Sequence, residues 1–153
     1  MTKPAHEPYD ELCFSVYTTN RYFHHLYSKI LSQYDLTYLQ YMVLIVVRNE
    51  EQIPLSTICS KLDLANNTLT PVIQKLVDKK WLSKKRSAKD SRCLEISLDR
   101  NSFKTLKDIR NKVWLTQQMF SKLAKQSIEE LIEQHHKLNS ELIEISEKLA
   151  EKL

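Results

Sequence analysis

The sequence predicts a mainly α fold carrying one small β-hairpin, and three observations predict it. Glycine is absent and only four prolines occur in 153 residues, so tight turns are few and long helices are favoured. Apolar residues recur at helical spacing along most of the chain. That period gives way to strict alternation once, between Arg92 and Leu98, as a half-buried strand requires.

The elements follow in order. From about Tyr9 to Leu31 an aromatic-rich helix is predicted, with Leu12, Val16 and Phe23 on its apolar face and Cys13 stacked on Tyr17 at i, i+4. Thr37-Tyr-Leu-Gln40 fits a capping box that opens a helix with Tyr38, Tyr41, Met42, Ile45 and Val46 on one face. Leu55, Ile58, Cys59 and Leu62 repeat the pattern over a shorter helix. Asp63 to Asn66 form a connecting turn, with Asn66 as the expected cap of the next helix. Leu69, Ile73, Leu76 and Val77 form that helix's buried face, and Thr68, Thr70, Gln74, Lys75 and Asp78 face outward. If Asn66 is the cap, Pro71 sits in the second turn and forfeits a hydrogen bond; the alternative is a helix that starts later, with Pro71 in its first turn. Lys80 stands where a glycine C-cap is expected.

Two short helices joined by a tight turn form a helix-turn-helix. Trp81 to Arg86 reads as a strand, Ser87 to Ser91 as a polar loop, and Leu94, Ile96 and Leu98 as the inner face of a second strand. That hairpin is a wing. Phe103, Leu106, Arg110, Val113, Trp114 and Phe120 trace a long helix. Leu131, His135, Leu138, Leu142, Ile145 and Leu149 then alternate spacings of four and three, a heptad seam that wants a partner helix. The expected organisation is a winged helix-turn-helix over 36–99, with N- and C-terminal dimerisation helices over 1–35 and 100–153.

The composition excludes several classes of function. Without glycine no Walker A loop or dinucleotide fingerprint can form. No apolar run reaches the length of about 18 residues needed for a membrane span, and the N-terminus has no apolar signal region. Cys13, Cys59 and Cys93 are an odd, widely spaced set, which fits a reducing cytoplasm better than a disulfide framework. His24-His25 and His135-His136 are adjacent pairs that diverge on a helix, so no metal site is expected.

Between Val72 and Arg92, eight basic side chains stand against only Asp78 and Asp90, a surplus larger than the +4 of the whole chain. A basic stripe beside an outward polar helix suits a reader of double-stranded DNA. Phosphate neutralisation supplies affinity, and the helix face supplies base contacts.

Leu12-Cys-Phe-Ser-Val-Tyr17, Leu36-Thr-Tyr-Leu-Gln-Tyr41, Thr68-Leu-Thr-Pro71 and Lys85-Arg-Ser-Ala-Lys-Asp-Ser-Arg92 occur in that order. This set resembles the MarR family of winged-helix repressors, specifically its organic-hydroperoxide-sensing, OhrR-like branch. Regulators of the MgrA and SarZ type share these motifs. The resemblance covers roughly Glu11 to Leu98.

It implies a homodimer on a pseudo-palindromic operator. Asn66, Asn67, Thr68, Thr70, Gln74 and Lys75 would lie toward the major groove. The basic wing, with Lys84, Arg86 and Lys89, would carry Arg92 to the minor groove, oriented by Asp90. Cys13 matches the peroxide-reactive cysteine, Tyr27 and Tyr38 the tyrosines that hydrogen-bond its sulfur, and Tyr17 a residue approaching from the other subunit.

A reactive thiol must be a thiolate near neutral pH, and phenol O–H donors stabilise that anion without adding charge. Oxidation to a sulfenic acid, followed by trapping with a second thiol, would disturb the packing and release DNA. No cysteine follows Cys93, so a low-molecular-weight thiol would be the resolving partner. Ala65-Asn66-Asn67 stands where the branch usually carries Asp-Ser-Gly, and lysines stand at positions 75 and 84 where arginine is common. No cofactor is expected. No acid-base pair accompanies the thiol, so the chain reads as a regulator and not an enzyme. The rival reading is a repressor of the same fold released by a small phenolic ligand, not by thiol oxidation.

Overall fold

The computed structural model describes residues 11–87 and 93–151. The chain divides into two compact units, Met1–Arg110 and Asn111–Leu153.

The described part of the first unit opens with α1 (Leu12–Leu31), whose N-cap Glu11 is extended; Tyr9, near which this helix was expected to start, lies outside the described residues. A single 3₁₀ turn (Ser32–Tyr34) and the left-handed Asp35 redirect the chain. Helix α2 (Tyr38–Val47) begins with the predicted capping box: Gln40 N–H donates to Thr37 Oγ1 at 3.2 Å, and Thr37 N–H donates to Gln40 Oε1 at 3.0 Å. Its buried face differs from the expected one. Tyr41, Val43, Leu44 and Val47 are buried, whereas Tyr38, Met42, Ile45 and Val46 are only partly covered. An almost wholly apolar helix has no moment to orient it, so its neighbours choose the face.

Strand β1 (Ile53–Pro54) leads into α3 (Leu55–Leu62), and the left-handed Asp63 turns the chain into α4 (Asn66–Asp78). The N-cap of α4 is Ala65, not Asn66; Asn66 is already helical, and its side chain is engaged elsewhere. Pro71 lies inside α4, so the helix tolerates the proline and does not start later; Leu69, Ile73 and Leu76 on either side of it are buried against the core. Lys80 adopts the left-handed conformation at φ 60. It is fixed there because its own N–H donates to Val77 O and the Trp81 N–H donates to Leu76 O.

Strands β2 (Leu82–Arg86) and β3 (Leu94–Leu98) pair antiparallel, with Leu82 opposite Leu98 at the base and Arg86 opposite Leu94 toward the tip. Trp81, expected to open the first of these strands, lies just before it and is buried. Strand β1 pairs with the other edge of β3, Ile53 opposite Ile96, so the sheet has three strands in the order β1-β3-β2. Two residues, one of them proline, carry no readable alternation, which is why β1 escapes sequence reasoning. Ile96 and Leu98 point into the core as expected.

Helix α5 (Ser102–Ala124) starts where Ser102 Oγ donates to Lys80 O at 2.8 Å, and it buries Leu106 and Ile109. Phe103, one of the residues whose spacing traces this helix, is 52% exposed.

In the second unit, the left-handed Lys125 and a capping box between Ser127 and Glu130 open α6 (Ile128–Ala150). No α6 residue is buried, and its heptad positions Leu142, Ile145 and Leu149 remain about half exposed. No single helix among the described residues is long and apolar enough to cross a membrane.

Candidate DNA-reading and thiol sites

Helix α4 presents the predicted polar face. Asn66, Asn67, Thr68, Thr70 and Lys75 are exposed, while Gln74 is partly covered. Most of these side chains are already committed, Thr68 Oγ1 to Asn67 Oδ1 at 3.5 Å among them. Thr70 Oγ1 donates to Asn66 O at 2.7 Å, which ties it to its own helix. Gln74 Nε2 donates to Asp78 Oδ1 at 2.6 Å, and Gln74 Oε1 accepts from Lys84 Nζ. Gln74 therefore braces β2 against α4, so the wing strand and the reading helix are positioned together.

Asn66 is held from below. The Cys59 thiol donates to Asn66 Oδ1 at 3.0 Å, and the Leu64 N–H donates to Cys59 O, also at 3.0 Å. Cys59 is a core residue, as its place on an apolar face suggested, and also a support for the first residue of the reading helix.

Lys84 and Arg86 lie exposed on β2, and Cys93 is exposed just before β3, at its tip end. Lys89, Asp90 and Arg92 fall outside the described residues. Not all of the basic stripe faces outward for DNA: Lys79 Nζ pairs with Asp35 Oδ2 at 2.8 Å and donates to Asp35 O.

The residues expected to form a thiol site are divided within the chain. Cys13 is exposed in the first turn of α1, at the positive end of the helix dipole, and that turn carries no acidic side chain. Tyr17, one turn further, is engaged by Arg21, whose guanidinium lies 5.9 Å from its ring centre and whose Nη1 is 3.4 Å from its hydroxyl.

Tyr27 and Tyr38 are brought together by packing of α1 on α2, with ring centres 5.0 Å apart. Tyr41 joins them at 6.0 Å from Tyr27, and His24 packs edge-on against Tyr38 at 4.6 Å. Sequence reasoning placed neither Tyr41 nor His24 in this cluster, since only the crossing of two helices joins them. Burial pushes the Tyr38 phenol up from its ordinary value of 10.0, and the neighbouring Tyr27 adds to the effect. The phenol thus stays protonated at neutral pH and available as an O–H donor.

Fourteen residues of one helix separate Cys13 from Tyr27, about 21 Å at 1.5 Å per residue. A single chain cannot bring its own Cys13 to its own Tyr27. Between them Val16, Phe23 and Leu26 are exposed, as is Leu12 just before Cys13.

Residues 25–109 match the SarA/Rot family of transcriptional regulators, a stretch that runs from α1 through the reading helix and the sheet into α5. The chain belongs to this family. It is 33% identical over 108 residues to the transcriptional regulator SarZ of Staphylococcus haemolyticus, an alignment spanning 69% of this chain and 74% of that one. Its fold is also that of AbfR of Staphylococcus epidermidis, with 31% identity, a TM-score of 0.72, and coverage of 87% of this chain and 91% of the other. Reduced AbfR bound to DNA matches at 30% identity and a TM-score of 0.72, covering 88% and 91%. The disulfide form of AbfR matches at 35% and 0.63, covering 74% and 85%.

Proposed function

We propose that this SarA/Rot-family chain is a redox-responsive, DNA-binding repressor of the cytoplasm. It acts as a homodimer on a pseudo-palindromic operator and releases it when Cys13 is oxidised. The observation that carries the reading is the split thiol site: an exposed Cys13 at one end of α1 and a Tyr27–Tyr38 pair about 21 Å along the same helix. Two antiparallel copies of α1, packed through Leu12, Val16 and Phe23, would bring each Cys13 to its partner's tyrosines. The DNA-bound and disulfide forms of AbfR support the same reading.

DNA recognition rests on residues 36–99, with α4 in the major groove through Asn67, Thr68 and Lys75. Lys84, Arg86 and Lys89 neutralise phosphates, and Arg92, oriented by Asp90, reaches the minor groove. Dimerisation rests on α1, α5 and α6.

In the sensing step the Cys13 thiolate attacks the terminal peroxide oxygen of an organic hydroperoxide. An S–O bond forms, the O–O bond breaks, and the alkoxide leaves and takes up a proton. A low-molecular-weight thiol then attacks the sulfenic sulfur, forming a mixed disulfide and expelling water. The reaction runs once per thiol, so the chain is a sensor and not an enzyme.

A mobility-shift assay with cumene hydroperoxide tests this. The wild type is expected to release DNA on oxidation, whereas Cys13→Ser binds and stays bound. Cys59→Ser and Cys93→Ser should respond as the wild type does. Release of DNA by oxidised Cys13→Ser would end the thiol reading while leaving DNA binding intact.

A further inference from the structure

The C-terminal end of α4 is a junction, where three consecutive residues each bond to a different part of the fold. Lys79 Nζ pairs with Asp35 Oδ2 at 2.8 Å and donates to Asp35 O at 2.5 Å. Lys80 O accepts from the buried Ser102 Oγ at 2.8 Å. Trp81 O accepts from the Asp99 N–H at 3.0 Å. One end of the reading helix is therefore held by the turn after α1, by the first residue of α5 and by the residue that follows β3.

The Lys79 bonds are the ones made by a long charged side chain, and they reach across 44 positions of the chain. Their acceptor is fixed in place. Asp35 is left-handed, its N–H donates to Ser32 O at 3.1 Å, and the Leu36 N–H donates to Leu31 O at 3.3 Å. Leu31 and Leu36 on either side of the turn are buried. A carboxylate and a carbonyl oxygen are thus presented together just beyond the end of α1, and the ammonium uses two of its three donors on them. The Lys79 side chain is only 31% exposed, so its stem lies along the protein.

By sequence Lys79 belongs to the basic stripe between Val72 and Arg92. A lysine placed to neutralise a phosphate gains nothing from a carboxylate beside it, because that charge repels the nucleic-acid backbone. The pair instead joins two elements whose relative placement matters to a dimer on two half-sites. In the dimer proposed above, α1 lies at the interface and α4 in the groove, and the distance between the two reading helices fixes the half-site spacing.

We propose that Asp35 and Lys79 are positioning residues for DNA recognition: their ion pair holds the C-terminal end of α4 to the turn after α1 and so sets the separation of the two reading helices. The proposal rests on the dimeric DNA-binding reading and on no part of the thiol chemistry. It makes an acidic residue necessary for tight DNA binding, the reverse of what charge alone demands.

The probe is the duplex enriched by in vitro selection on the wild-type protein, together with the same duplex lengthened by one base pair at its centre. Asp35→Asn tolerates the left-handed turn and removes the charge. Lys79→Met removes the ammonium and keeps most of the stem. Each should weaken binding to the selected duplex by about threefold or more, and each should discriminate less than the wild type between the two duplexes. Neither should alter the salt dependence, whereas loss of a phosphate contact lowers its slope by about one unit. Lys79→Arg can make both bonds and should restore affinity and spacing preference. An exposed ion pair contributes little to stability, so thermal unfolding of the variants should stay close to wild type.

Unchanged or tighter binding by Asp35→Asn would overturn the proposal. A lower salt slope in Lys79→Met with spacing preference intact would also overturn it, by making Lys79 a phosphate contact. Both results leave the dimeric reading standing. Selection of a single half-site by the wild type would overturn the proposal and that reading together.

Discussion

The Cys59 thiol donates to the side-chain oxygen of Asn66 across a distance of 3.0 Å. This bond ties the core of α3 to the first residue of the reading helix, at the turn between the two. Cys59→Ala should therefore cost about 1 kcal/mol for the lost bond, with a further loss for the small cavity left behind. Asn66→Ala should cost a similar amount, since it leaves the thiol without its acceptor. Urea unfolding of both single variants and the double variant measures the coupling. A coupling energy near zero would mean the bond contributes nothing to stability.

The distance along α1 between Cys13 and Tyr27 makes a prediction about which chain supplies which group. Mixed dimers of Cys13→Ser with a Tyr27→Phe, Tyr38→Phe double variant contain one site with both thiol and phenols if the site spans two chains. They contain none if the site lies within one. Peroxide-driven sulfenic acid formation, followed by trapping and mass spectrometry, should proceed in the mixed dimer at nearly the wild-type rate per intact site. It should be several-fold slower in the homodimer of the tyrosine double variant. Equal slowness in both would place thiol and phenols in one chain.

Lys80 occupies the left-handed region at φ 60 in a chain without glycine. A lysine side chain gains nothing there, whereas the backbone bonds on either side require the conformation. Lys80→Gly should raise stability by about 1 kcal/mol, because it removes the Cβ clash at the C-terminus of α4. Thermal unfolding would show it, and a lower midpoint would mean that the strain is already relieved. Asp35 and Asp63 share the conformation but should gain less from glycine, since short polar side chains tolerate it better.

Burial, with a contribution from Tyr27, pushes the Tyr41 phenol from 10.0 up to about 12. Below pH 10 it is protonated whether the chain is folded or not, and stability is unaffected. Between pH 10 and about 12 the unfolded chain releases the proton while the folded one retains it, so stability falls by something on the order of 2 kcal/mol. Tyr41→Phe should flatten that part of the stability curve and leave the neutral region little changed. Denaturant titrations at pH 8 and pH 11 test the difference.

What the sequence by itself determined were the features set by residues close together in the chain. The capping box at Thr37 and Gln40, the outward polar face of α4, the alternation of β3 and the left-handed Lys80 each depend on a few neighbouring side chains or on one backbone bond pattern. Local sterics and periodicity suffice for these. The cysteine motif at Leu12-Cys-Phe was legible for a different reason, its resemblance to a known family.

The tertiary structure alone decided what depends on helices crossing. The buried face of α2 could not be read, because an all-apolar helix has no preferred side until α1, α3 and α4 pack on it. The two residues of β1 pair with β3 only because the fold carries them to its edge. The bracing of Gln74 by Lys84, the pairing of Lys79 with Asp35 and the electrostatic effect of Arg110 on Arg48 join residues 10, 44 and 62 positions apart. Their physical cause is the closing of one core around Leu44, Ile58, Leu69 and Ile96, which sets side chains from distant segments against each other and leaves Arg48 Nε buried without a hydrogen-bond partner among the described residues.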